Sequence, residues 1–471
     1  MYKKMFCLIT SALIIALTSI SASANSSQMY WSGQSGSSTI IKDEKSPLIV
    51  ESELLTFDLQ EFPKNYYSST EEFENYSGKV TAKYTIKNPT DKDVTARLAF
   101  PFGTMPAYDF SEEFNFQEIP KMYDDKYKIS VNGKEIDKTL RHTFSYGFGA
   151  FDYKNDTQNL CDEYKKDDFY SPDTPVKVYV FEANGIPEEF IGNAFASASF
   201  SLDADKTRVL LADCSSYNYE NYKTARAGLL VENGISFTMY VIGKDIDTLP
   251  KWTVYEDSLE EKECSGEVKL LFTDNRIFED IALMFHSPDS GVSETDWYNA
   301  AIDKLNNLAF YSGFLGSDNE LMLSDCLMQW FEYEITVNAG ETITNSVSAP
   351  IYPDINHSFS PTVYDYTYLL SPANSWSKFG KIDVVIYTPY YISDSTVGQY
   401  TKVKGGYTLT VDSIPEDELF FTLSTSQNPK EENIYYFDIL HQILAVLLIL
   451  SVLANVALIV VIILKSKRKN K

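Results

Sequence analysis

Carboxylates offer the first chemistry in this chain. In "FEYEIT", Glu332 and Glu334 lie two apart on an expected strand, so both side chains point the same way. Glycosidases work with two carboxyl groups about 5–10 Å apart, one protonating the leaving oxygen and the other attacking or activating water. The same spacing is also ordinary decoration of a solvated strand face. "DADK" at Asp203 and "TDKD" at Asp91 put acids within reach of a calcium ion. Neither adds the further spaced oxygens and the glycine that a dedicated calcium loop needs. Histidine is scarce, and His142, His286, His357 and His441 are too far apart for any two to share one helical face. The sequence has no H-E-x-x-H, G-x-S-x-G, phosphate-binding or dinucleotide-binding motif, so no catalytic residue, metal or cofactor is assigned.

Aromatic side chains offer a different chemistry, non-covalent contact. The chain holds 33 Tyr, 29 Phe and 5 Trp. Tyrosine and tryptophan present an apolar face with a polar handle, which suits a glycan or a protein surface. "YGFGAF", with Tyr146, and "SSYNYENY", with Tyr217 and Tyr219, read as loops and are contact candidates. "YDYTYLLSPANSWSKFGKIDVVIYTPYY" raises the sharper question, because Trp376 and Phe379 flank its turn. They are either a ligand platform or the plug of a β-sandwich, and the alternation on both sides favours the plug. Tyr364, Tyr366, Tyr368 and Leu370 share one strand face, and Ile382, Val384 and Ile386 share the next. Ser371 is placed to cap a short helical turn beginning at Pro372, where a missing N–H costs nothing.

The elements that must position these residues are mostly strands. "KVTAKYTIKN", "VTARLAFPF", "VKVYVFEANG" and "GISFTMYVIG" alternate and are punctuated by turn residues. Asn132-Gly133 predicts a tight hairpin, and Asn338-Ala339-Gly340 predicts another. One clear helix, "SETDWYNAAIDKLNNL", has Ser293 as N-cap and Trp297, Ala301, Leu305 and Leu308 on one face. The expected architecture is therefore mainly β, with two sandwich-like ectodomains and a small helical insertion in the second. The boundaries fall at 47–250 and 251–430, behind a flexible Gly/Ser-rich segment at 25–46.

The ends of the chain predict its setting. Lys3 and Lys4, an apolar stretch to Ile20 and Ala22-Ser23-Ala24 form a secretory signal peptide, residues 1–24. Residues 443–464 carry no charge, enough at ~1.5 Å per residue to cross the ~30 Å hydrocarbon core. The basic tail, residues 465–471, then stays cytoplasmic and leaves the ectodomain outside. Asn455 sits in the middle of that span and could hydrogen-bond to another helix; it also reads as a tolerated polar residue in an anchor. No "LPxTG" precedes the span, so sortase attachment is not expected. Net charge is −26, and both ends of the chain are basic, so the ectodomain is more acidic still. Nucleic acid is excluded as a partner on that ground. Of the five cysteines, Cys7 lies in the leader; Cys161, Cys214, Cys264 and Cys326 fit no zinc spacing and could form two disulfides of open connectivity.

The order "YTIKNPT", "AFPFG", "VNGKEI", "VIGKDI", "DWYNA", "ITVNAGET", "YLLSPANSWSKFGKIDVVI", "IPEDELFFTLS" resembles a group of signal-peptide-bearing, single-pass surface proteins of Gram-positive, clostridia-like bacteria. The resemblance covers about three-quarters of the chain, and Pro372, Trp376, Phe379 and Gly380 are its most specific part. That group has no established activity, so the resemblance implies a location and no catalytic residues. The N-terminal strands are also similar to VIT-type sandwich modules, which often precede a metal-binding adhesion domain. Here "DCSSY" at Asp213 ends in Tyr217, so no such metal site is carried over. These readings imply a membrane-anchored surface protein whose ectodomain binds a protein or glycan without catalysis. Two alternatives remain: a carboxylate-based ectoenzyme, or an accessory subunit of a membrane complex assembled through Asn455.

Overall fold

The computed structural model describes residues 36–42, 46–103, 108–111, 126–144, 153–220, 223–312, 315–323 and 327–431. The signal peptide, the apolar stretch 443–464, the basic tail, Tyr146, Cys326, His441 and Asn455 lie outside the described residues. Among the described residues no helix is long and apolar enough to cross a membrane.

The fold is mainly β. Its first lobe is one large sandwich. An eight-stranded sheet runs in the order Thr401–Val403, Gly406–Val411, Phe379–Tyr387, Ile49–Asp58, Lys79–Lys87, Thr342–Pro350, Lys128–Val131, Lys134–Glu135. Ile49–Asp58 pairs parallel with Phe379–Tyr387 and antiparallel with Lys79–Lys87. Two smaller sheets cover it. One holds Thr139–Phe144, Leu327–Val337, Val94–Gly103 and Ile40–Ile41; the other is built around Val363–Leu369 and Leu419–Ser424. Alternate residues from all three sheets fill a single core, among them Phe57, Tyr84, Leu98, Phe331, Val384 and Phe421.

Strand pairing therefore replaces the expected boundary near residue 250. Strands from both ends of the chain share one sheet and one core, and the second lobe is inserted between them. Thr139–Phe144 leads out and Leu327–Val337 returns, and these two strands pair antiparallel from Thr139↔Glu332 to Phe144↔Leu327. Alternation is a local signal, and it does not say which strand becomes a neighbour.

Two expected local features also change. Asn132 and Gly133 turn a hairpin with φ of 53° and 80°, and Val131 pairs with Lys134, as the sequence predicts. The turn at Asn338-Ala339-Gly340 instead carries the chain between sheets, because Leu327–Val337 and Thr342–Pro350 lie in opposite layers. Asn88, fully buried at the neighbouring crossover, donates from Nδ2 to the carbonyls of Lys92, Val337 and Asn338 and so ties the two crossovers together. The Gly/Ser-rich segment is likewise ordered over residues 36–42. Ser38 and Thr39 are fully buried and Ile40 and Ile41 nearly so, because small side chains let the backbone pass between the covering sheets.

The second lobe has three layers. Its inner sheet runs Glu267–Ile277, Pro175–Asn184, Ser236–Gly243, Thr207–Leu211, Leu315–Ser317. On one face Phe181, Val209 and Val241 pack against a four-stranded sheet containing Phe195–Ser201 and Thr224–Leu230. On the other face Val176, Val178 and Ile242 pack against the helix Glu294–Ser312 through Trp297, Tyr298 and Leu305. Ser293 Oγ accepts from Asp296 N at 3.1 Å, as the N-cap pattern predicts.

Candidate functional site

Trp376 is 5% exposed and lies in the core of the sandwich. Its turn, Ser371–Ser375, joins strands in opposite layers, and its Nε1 donates to the Thr39 carbonyl at 2.8 Å. The reason is local. Between Gly36–Ser37 and Ile40–Ile41 the chain leaves one covering sheet for the other; Ser38 N still donates to the Leu369 carbonyl, but the ladder stops there. Side chains take over from the ladder: Thr39 N donates to Tyr84 Oη at 3.1 Å, and Ile41 N, at the start of the next sheet, donates to Ser375 Oγ at 3.0 Å. Phe379 packs half-buried beside this seam, edge-on to Tyr84. Ser371 does not cap the turn; Glu418 Oε2 accepts from Ser371 N at 3.0 Å and from Leu370 N.

The seam contains a carboxyl group. Glu53 is fully buried, in phase with Leu55 and Phe57 on the inward face of its strand. It stands opposite Tyr84, which stands opposite Asn345 on the next strand. Tyr368 Oη donates to Glu53 Oε1 at 3.3 Å, while Oε2 has no hydrogen-bond partner among the described residues. Burial raises the Glu53 pKa to about 7, against hydrogen bonds from Tyr84 and Tyr368 that act to lower it. Glu53 was legible as a charge in the phase of Leu55 and Phe57, although no motif marks it.

The expected carboxylate pair stays on one strand face, opposite Ala99 and Arg97, but its two members differ in burial. Glu334 is exposed, whereas Glu332 is buried where the lobes meet. Glu332 Oε1 accepts from Lys42 at 3.0 Å, and Oε2 accepts from Arg141 at 2.8 Å. Arg141 also donates to Asp296 through Nε and Nη2, at 3.0–3.2 Å, and to the Cys161 carbonyl. Asp296, 1% exposed on the helix of the second lobe, accepts from the His142 N–H at 2.9 Å as well. This network fastens the inserted lobe to the sandwich. His142 is held neutral by burial, its pKa lowered to about 4.

The remaining candidates are dispersed. Tyr217 is half-exposed on the edge strand Ser216–Glu220, and Tyr219 belongs to the same strand. Cys161, Cys214 and Cys264 form no bridge among the described residues. No group of three or more His, Cys, Asp or Glu among the described residues is arranged to hold a metal ion. Asp203 borders an open concavity of about 560 Å³ at one end of the second lobe, with Asp205, Lys223, Lys244, Asp245 and Asp247. Tyr179 Oη donates to Asp245 at 2.7 Å, and Lys206 and Lys244 pair with Asp203 and Asp247. Asp354 and Asp365 are a pair that the sequence reading did not single out. They stand directly opposite each other on adjacent strands, Asp354 exposed and Asp365 half-buried; partial desolvation raises both pKa values, with Asp365 adding to the effect on Asp354.

No family model matches the chain, and no curated protein matches it in sequence. Among solved structures it is similar to a candidate nutrient-binding protein of Legionella pneumophila subsp. pneumophila, at 11% identity and a TM-score of 0.31. That match covers 83% of this chain and 70% of the other. At this level of likeness, function rests on the residues of this chain.

Proposed function

We propose that the chain is a bacterial cell-surface protein whose ectodomain acts by non-covalent binding, anchored by residues 443–464 with its basic tail inside. The observation that carries the non-catalytic part is the state of Glu332. Both of its oxygens are engaged by buried cations, so it is committed to joining the lobes. The open concavity supports binding: its lining sets four aspartates against two lysines, a net negative wall that suits a basic protein segment. The resemblance to clostridia-like surface proteins and the sequence of both chain ends support the location. Biotinylation of intact cells with a membrane-impermeant reagent tests the topology; a chain labelled only after lysis refutes it. For binding, the Asp203→Asn/Asp247→Asn variant should lose at least tenfold in affinity for whatever basic protein the wild-type ectodomain retains, and unchanged retention refutes the concavity as the site. The Asp354–Asp365 pair favours a second reading, a carboxylate-based hydrolase. Hydrolysis of a glycoside panel that disappears in Asp365→Asn would establish it.

A further inference from the structure

We infer that two copies of this chain pair edge to edge through the strand Glu267–Ile277. This goes beyond the proposed binding function and does not depend on it. The strand is terminal in the inner sheet of the second lobe, and among the described residues only Pro175–Asn184 pairs with it. Sheet edges in soluble proteins are normally short, covered or broken by charge, because their free N–H and C=O groups accept another strand. This edge is 11 residues long, and its charges flank rather than interrupt an exposed apolar centre, Leu270, Leu271 and Phe272 at 40%, 49% and 56% exposure.

The occupant follows from the charges. The register against Pro175–Asn184 jumps from Val180↔Phe272 to Phe181↔Leu270, so Leu271 is the extra residue of a β-bulge. The bulge changes which residues share a face. Lys269 and Asp274 are an odd number of positions apart and would point to opposite faces of a regular strand. Here Lys269 lies opposite Glu182 and Asp274 opposite Val178, so both fall on the face that carries the helix. Glu267 and Arg276 share that face, lying opposite Asn184 and Val176. Within one chain these residues pair as neighbours, Lys269 with Glu267 and Arg276 with Asp274.

An antiparallel partner with Leu271 opposite Phe272 places Lys269 opposite Asp274 and Glu267 opposite Arg276, twice each about a two-fold axis. Every cross-strand charge then meets its opposite, and the apolar residues meet at the centre. The relation is self-complementary, as a two-fold interface must be. The two inner sheets become continuous, and a second copy of this chain is the partner that this pattern of charge fits.

The test is the association state of the full chain in a non-ionic detergent, measured by sedimentation or light scattering over a range of protein concentrations. The wild-type chain should dimerise reversibly. Lys269→Glu and Asp274→Lys should each weaken the dimer about tenfold, the scale expected when two attractive cross-strand pairs become two repulsive ones. The double variant Lys269→Glu/Asp274→Lys should recover most of that loss, which a general surface effect would not produce. Phe272→Asp should leave a monomer with an unchanged melting temperature. A wild-type chain that stays monomeric at every concentration overturns the inference. A dimer indifferent to these variants, or a double variant no better than either single one, also overturns it. So does an edge that takes up an unrelated extended peptide in preference to a second copy.

Discussion

Replacing Glu53 by Gln should stabilise the fold at neutral pH and cost about 1 kcal/mol in acid, where the carboxyl is already neutral. The carboxyl titrates near 7 in the folded chain because burial disfavours its charged form; a glutamate in an unfolded chain titrates near 4.5. Below pH 4.5 both states hold the proton and the group contributes nothing to the pH dependence. Between 4.5 and 7 the unfolded chain gives up its proton first, so stability falls as pH rises. Above 7 the loss is complete, about 3 kcal/mol for this separation. Glutamine is neutral throughout and has nearly the same shape. Its amide must find partners around Tyr84 and Tyr368, which adds a pH-independent offset of about 1 kcal/mol. The diagnostic quantity is therefore the slope of the difference with pH. Urea denaturation of both proteins from pH 4 to 8.5, followed by tryptophan fluorescence, reads it directly. A flat difference, or one that turns against the variant as pH rises, would refute a buried carboxyl with a raised pKa.

Three further expectations follow from the same core and junction. Trp376→Ala should cost about 3–5 kcal/mol, because it opens a cavity and strands the Thr39 carbonyl, and a falling midpoint in the same denaturation assay checks it. Arg141→Met should cost about 3–5 kcal/mol by leaving Asp296 buried without its cation, and limited proteolysis should then separate the inserted lobe; intact resistance would contradict this. His142 gives the opposite pH dependence to Glu53. Its folded pKa near 4 lies below the unfolded 6.5, so stability should fall by up to about 3 kcal/mol as pH drops from 6.5 to 4. His142→Gln should remove that acid-side loss, which melting temperatures at pH 7 and pH 4.5 would compare.

Local order was well marked in the sequence, and long-range partners were not. Tyr366 and Tyr368 are inward on one strand, with Tyr364 half-buried and Leu370 buried just past its end, and Ile382, Val384 and Ile386 are inward on another, as alternation predicts. Alternation does not reveal that these strands lie in different layers, nor that the turn between them spans the sandwich. The same ambiguity affects Gly340, whose φ of 70° suits a hairpin and a crossover between sheets alike. The inserted lobe was hidden because its strands alternate like those around them. Arg141 and Asp296 look like surface charges in "TLRHTF" and "SETDW", and only their meeting across the lobes makes them buried partners. Ser38 and Thr39 read as a linker because small polar residues have two uses, a flexible tether and a narrow passage through a core.

The most direct test of the central claim is affinity capture on the immobilised ectodomain, residues 25–435, from an envelope extract, followed by mass analysis of what elutes. The binding account expects a retained protein or glycan recovered chemically intact, and its retention should weaken when the acidic concavity is neutralised. A retained molecule that is steadily cleaved on the column, or an ectodomain that retains nothing, would contradict it.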